Sequence, residues 1–199
     1  MDGYQRRTEH KKENIRRAAM ELFSTYGIEK VSVAEIAKKA NVSPVTIYNY
    51  FGTKDELFYS VLTTFLEDAW EKRLEMIRSD LPYTEKIEKM IFETTDFAGT
   101  VNPDFLREMM TNRPEMQRIV EDIYNRYVPE LIRFIETGRD AGYINPDIST
   151  ETILMYVNIL KEAFDKIEVS GDRVKNRQLM KELTTVMFYG LMNKPESNR

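Results

Sequence analysis

A single histidine, no cysteine and carboxylates in no paired spacing leave little among these 199 residues for covalent or metal chemistry. Without cysteine there is no thiolate nucleophile, no disulfide and no thiolate metal site. His10 stands in a basic amino-terminal stretch with no acid spaced to orient it, so a surface position is expected rather than proton transfer. Glycine-rich phosphate loops and HExxH helices are absent too. The residues therefore describe a non-enzyme, with no cofactor and no metal expected. What stands out instead is a short string after Ser43, in which Pro44, Val45, Thr46, Tyr48, Asn49 and Tyr50 supply hydroxyls, an amide and a methyl surface. Such groups recognise by hydrogen bonds and apolar contact.

The elements that must carry this string are helical, because i, i+3, i+4 apolar spacing is abundant and strand-like alternation is rare. The chain is expected to be all-α. A first helix is predicted from about Thr8 to Tyr26, with Ile15, Ala18, Ala19, Leu22 and Phe23 on one face and Gly27 closing it. Ser32 with Glu35 forms a capping box that starts a helix over Val33–Ala40, and Asn41 stops it by tolerating left-handed geometry. Ser43 and Pro44 then open a third helix to about Phe51, since a proline at the first helical position loses no hydrogen bond. Thr53 and Glu56 repeat the box ahead of a longer helix, 54–79. Further helices are predicted at about 84–98, 103–111, 114–141, 149–168 and 173–192, with a kink or a break at Pro129.

Two short capped helices three residues apart, preceded by an amphipathic one, match a helix-turn-helix, with Ile36, Ala37, Val42 and Ile47 facing inward. The first turn of the third helix can then enter a major groove while the second helix crosses the backbone. Charge agrees. Residues 1–60 hold ten Lys/Arg against eight Asp/Glu, whereas the remainder holds nineteen against twenty-five, so the chain's net charge of −4 hides a basic module. Arg6, Arg7, Lys11 and Lys12 crowd its start and suggest either an arm that tracks the DNA backbone or a disordered tail.

The stretch IRRAAMELFSTYGIEKVSVAEIAKKANVSPVTIYNYFGTKDELFYSVL, residues 15–62, resembles the TetR family of bacterial transcriptional regulators, most tellingly in MELFSTYG, VAEIAKKANVS and TIYNYFGTKDELF. The resemblance covers about the first quarter of the chain. It implies a homodimer bound to a palindromic double-stranded operator and released by a small molecule. It also places Pro44, Val45, Tyr48 and Asn49 at base edges, where Asn49 could grip adenine and Val45 touch a thymine methyl. Thr46 and Lys54 match positions of phosphate contact, Tyr48 and Tyr50 are candidates to donate to phosphate, and the backbone amide of Ser32 is another. On this basis residues 1–53 form the DNA-binding domain and 54–199 the effector and dimerisation domain, with helix 54–79 joining them.

In the second part, nine methionines and fourteen aromatics between residues 61 and 199 could line an adaptable apolar pocket. Met90, Phe97, Phe105, Met109, Tyr124, Tyr127 and Met155 are the candidates for effector contact, while most such side chains should simply be core. Helices 149–168 and 173–192 carry broad apolar stripes, Ile153, Val157, Leu160 and Phe164 on one and Leu179, Leu183, Val186 and Met187 on the other. Each protomer would contribute this pair to a four-helix dimer interface. The alternative is a dimeric regulator controlled by a protein partner, for which a fully packed second domain would speak. No apolar run approaches the roughly 20 residues that span a bilayer, and MDGYQRRTEHKKE has no apolar signal region, so a cytoplasmic location without membrane contact is expected.

Overall fold

The computed structural model describes residues 3–109, 114–164 and 170–190, the side chains of 94, 95 and 160–164 excepted. Every regular element among the described residues is a helix: α1 Gly3–Tyr26, α2 Val33–Ala40, α3 Pro44–Phe51, α4 Lys54–Arg78, α5 Tyr83–Thr100, α6 Pro103–Met109, α7 Pro114–Asp140, α8 Thr150–Phe164 and α9 Arg173–Tyr189. None is long and apolar enough to cross a membrane. Packing divides the chain into two compact units, one of residues 1–68 and 101–119, the other of 69–100 and 120–199. The units thus follow contacts rather than the order of the chain.

In the first unit the short helices begin and end where their side chains dictate. Ser32 Oγ accepts from the Glu35 amide while the Glu35 carboxylate accepts from the Ser32 amide at 2.8 Å, so both otherwise orphaned donors are satisfied. Asn41 ends α2 at φ 55° and ψ 47°, returning its own N–H to the Ala37 and Lys38 carbonyls. Ser43 Oγ accepts from the Thr46 amide at 3.1 Å, and Pro44 occupies the first turn of α3. A β-branched residue at Asn41 would sit in a region closed to it. Asn41→Val is therefore expected to lower folding stability by about 1–2 kcal/mol, and Asn41→Gly to change it little, read from urea midpoints at unchanged slope.

The core beneath these turns joins α1, α2, α3, α4 and α6. Ile15, Ala19, Phe23, Ile36, Ile47, Leu57, Leu62 and Phe105 are buried, and Phe58 meets both Phe23 and Phe105 edge to face, with centroids 5.8 and 6.1 Å apart. Asn102 fastens α6 to the end of α1, donating its amide to Ser24 O at 2.7 Å and its Nδ2 to Thr25 O at 3.3 Å. Those carbonyls lie in the last turn of α1, where a helix has no partners of its own. Phe105, expected at an effector site, is thus core of this unit, because α6 returns to the aromatic cluster.

Two expectations about helix ends are corrected. α1 begins at Gly3 rather than near Thr8, so Arg6, Arg7, Lys11 and Lys12 lie on a helix and not in a loose arm. Of the kink or break expected at Pro129, the break does not occur, and α7 continues through it. Pro129 is exposed, whereas Ile123, Tyr127, Phe134 and Ile135 are buried, so packing along the apolar face outweighs the one donor that the ring removes.

The second unit is built around rings. Tyr83 at the head of α5 lies stacked between Phe134 of α7 and Tyr143, at 4.6 and 5.0 Å. Gly138 makes room for it, since a Cβ there would collide with the tyrosine ring and hydroxyl. Trp70 of α4 lies parallel to Tyr127 of α7 at 5.3 Å, and the Tyr127 hydroxyl donates to Glu71 Oε1 at 2.8 Å. Arg139 closes the α7–α8 turn by donating to Thr150 Oγ1 and Ile148 O, each at 2.9 Å. α9 packs against α5, capped by Asp172 and tied by Arg177 donating to Asp96 at 3.1 Å.

Candidate nucleic-acid interface and ligand cavity

α3 is short enough for one buried residue to fix its rotation. Ile47 points into the core, and the opposite face presents Pro44, Val45, Tyr48 and Asn49, all exposed, Val45 by 64% and Tyr48 by 51%. These four recur at i, i+1, i+4 and i+5, which is one side of a helix. An isoleucine in the core and two large apolar groups in solvent on the same two-turn helix mark a face made to be covered. Thr46, Tyr50 and Lys54 are half-buried at its margin.

The candidate phosphate contacts differ in what they have free. Ser32 is fully engaged, its hydroxyl 2.6 Å from Glu35 Oε2 and its amide donating to the same oxygen, so the backbone amide expected to meet phosphate is already taken. The Glu35 carboxyl titrates below the usual range because the Ser32 hydroxyl and then the Ser32 amide bond to it, against a lesser opposing effect of desolvation and with a still smaller attraction from Lys54. Thr46 Oγ1 shares a hydrogen with Ser43 Oγ at 2.9 Å. Lys54 opens α4 beside Asp55 and Glu56, so an anion at that helix head would meet negative as well as positive charge.

Along α1, Lys12 is paired with Glu9 and Arg16 with Glu13, each at 3.3 Å, and Lys39 of α2 with Glu21 at 2.6 Å. Arg6, Arg7 and Lys11 are exposed and carry no ion pair among the described residues. They are cations with charge to spare, displayed in order by the helix, as are Lys30 and Lys38 elsewhere in the unit.

The second unit encloses a cavity of about 260 Å³ whose wall is almost wholly apolar. Met90, a candidate for effector contact, belongs to that wall, together with Ile77, Ile87, Phe134 and Ile144. The other effector candidates lie elsewhere. Phe97 and Met109 are half-buried outside the lining, and Met155 is exposed on α8. Tyr127 is committed to Trp70 and Glu71. Tyr124 is bonded to Asn158, its hydroxyl pushed up in pKa by burial and pulled back by that bond.

Three residues expected at a dimer interface belong to this wall instead. Ile153 packs with Ile135 and Ile144, and Val157 and Met187 line the cavity. Leu179 and Leu183 are half-buried, Val186 is exposed, and the side chains of Leu160 and Phe164 lie outside the described residues. α8 is in fact apolar on two sides, Ile153 and Val157 inward, Met155 and Ile159 outward.

The polar members of the wall do not stand out in the sequence. Arg73 and Trp70 of α4, Tyr83 of α5 and Thr184 of α9 line the cavity. Burial raises the Tyr83 hydroxyl to about 12, and Thr184 donates its hydroxyl to Met180 O at 2.7 Å. The one signal for them is a cation a helical turn from the only tryptophan, amid Leu66, Leu74 and Ile77.

Residues 15–61 match the family model described as bacterial regulatory proteins, tetR family. The HTH-type transcriptional regulator YhgD of Bacillus subtilis is 27% identical over 139 residues, covering 68% of this chain and 73% of its own. Among solved structures, a transcriptional regulator from Saccharomonospora viridis in complex with choline superposes with a TM-score of 0.65 at 16% identity, over 94% of this chain and 100% of the other. FadR from Bacillus subtilis in complex with stearoyl-CoA does so at 0.60 and 19%, over 90% and 98%. The two structures share the fold, and the sequence relatives are regulators of transcription rather than enzymes.

Proposed function

Since the chain belongs to the TetR family of bacterial transcriptional regulators and reads DNA through a helix-turn-helix, we propose that it is a homodimeric repressor released from a palindromic operator by a small organic effector. Residues 1–53 do the reading and 54–199 hold the effector and the partner protomer. The observation that carries this reading is the pairing of one exposed α3 face, Pro44, Val45, Tyr48 and Asn49, with an apolar cavity in the other unit. Twofold symmetry would set two such faces one duplex turn apart, matching a palindrome. An effector that prefers a different separation of the two heads weakens operator binding by its differential affinity for that state. The regulator would act in the cytoplasm, where its operator lies.

The cavity favours a small molecule over a protein partner as the controlling signal, because a fully packed second unit would leave nowhere for a metabolite. The test is to select operators from random duplex with the purified chain, then titrate operator affinity with and without compounds that bind the cavity. Palindromic sites with affinity that falls on ligand addition are expected. A bound compound that leaves operator affinity unchanged would overturn release by effector.

A further inference from the structure

The cavity is an unusual place for a cation. Its wall is aliphatic and aromatic, yet Arg73 of α4 stands in it with its Cζ 5.0 Å from the centre of the Trp70 ring. Among the described residues Arg73 makes no ion pair and no hydrogen bond. Burial pulls the guanidinium below its ordinary pKa, opposed only by the negative charge of Glu93, which is exposed and does not reach it. A guanidinium stays charged in any protein setting, and this half-buried one has water but no protein group at its donors, so an anion entering the cavity would find them open. Elsewhere in the unit Arg78 holds Glu130 at 2.9 Å, Arg177 holds Asp96, and Arg139 donates to Thr150 Oγ1 and Ile148 O while its Nε is buried without a partner.

We propose that the effector is a small monocarboxylate with an apolar body, its head held by Arg73 and its body by the Ile87, Met90, Phe134 and Ile153 wall. This rests on the reading of the cavity as the effector site and names what fills it. The planar fork of Arg73 fits a carboxylate through two parallel hydrogen bonds, and Trp70 holds that fork in one plane. One guanidinium balances one negative charge, whereas a phosphate dianion would bring a second charge into an apolar space with nothing to meet it. The cavity of about 260 Å³ is partly open and lined by aliphatic and aromatic side chains, which suits a medium-chain or aryl-alkyl body.

Trp70 is the only tryptophan of the chain and stands in the cavity wall, so its fluorescence reports on occupancy directly. The full chain is titrated with octanoate and 3-phenylpropionate, and with 1-octanol and octylamine as neutral and cationic matches. A saturable Trp70 response to at least one carboxylate is expected, with octanoate bound about tenfold or more tighter than 1-octanol and octylamine weaker still. Arg73→Met should erase the preference for octanoate over 1-octanol, and Arg73→Lys should keep part of it, since the charge survives without the fork. The wild-type comparison needs no variant, so misfolding of either one does not spare the proposal. No saturable response to either carboxylate, or 1-octanol binding as tightly as octanoate, overturns it. Operator affinity separates the two claims. If 1-octanol fills the cavity and weakens operator binding as well as octanoate does, the carboxylate class falls and effector control stands. If octanoate binds through Arg73 and the operator is still held equally, the class stands and effector control falls.

Discussion

Alanine at both Tyr48 and Asn49 is expected to remove the preference for operator over random duplex while leaving folding stability within about 0.5 kcal/mol of the parent. The two outcomes separate because both side chains lie on the exposed face of α3, while Ile47, which holds that helix in place, is untouched. A bidentate contact from asparagine to adenine is worth about 1–3 kcal/mol of discrimination at each half-site. Over two half-sites Asn49 alone then accounts for about 2–6 kcal/mol, roughly 30-fold to 20,000-fold in affinity. Residual binding should persist and should fall steeply with salt, since Arg6, Arg7 and Lys11 still offer charge to phosphate. Competition anisotropy at one fixed ionic strength measures both quantities. A variant that still prefers the operator would show that some other surface reads the bases.

The reading module on which that prediction rests is legible in the order of its amino acids. The α2 and α3 boundaries, Val33–Ala40 and Pro44–Phe51, agree with the ends that their capping residues predict. Caps are the reason: Ser32, Glu35, Asn41 and Ser43 act on backbone within three or four residues of themselves, so their effect is local and survives translation into three dimensions. The second unit is far less legible. Helical periodicity says that Ile153, Val157, Met187 and Val186 belong to apolar stripes, but a stripe has no label for what covers it. Own core, cavity and partner protomer all ask for the same side chains. Only packing separates Ile153, buried against Ile135 and Ile144, from Ile159, which faces solvent nearly two turns away on the same helix. Arg73 escapes notice for a related reason: a charge in a helix reads as a solvated surface group until the neighbours that bury it are known.

The same distinction gives the proposed dimer a sharp test. Ile159 on α8 and Val186 on α9 are 56% and 61% exposed, and Met155 and Tyr189 are exposed alongside them in sequence. Apolar groups of this size on helix faces turned away from the protomer's own core and cavity have nothing to gain from water, and a second protomer would cover them. Glutamate at both positions would leave unpaired charges in that interface, each removal of apolar cover compounded by a desolvation cost of about 3–5 kcal/mol. The dimer dissociation constant is expected to rise by at least about 100-fold, read by sedimentation velocity, with melting of the isolated protomer little changed. Operator affinity should fall with it, by the factor of about 100 to 10,000 that joining two half-site readers contributes. Ile153→Glu supplies the contrast: its side chain is in the protomer's own core, so it should unfold the second unit rather than part the subunits. If the Ile159→Glu, Val186→Glu protein remains dimeric and still grips the palindrome, the outward faces of α8 and α9 are not where the protomers meet.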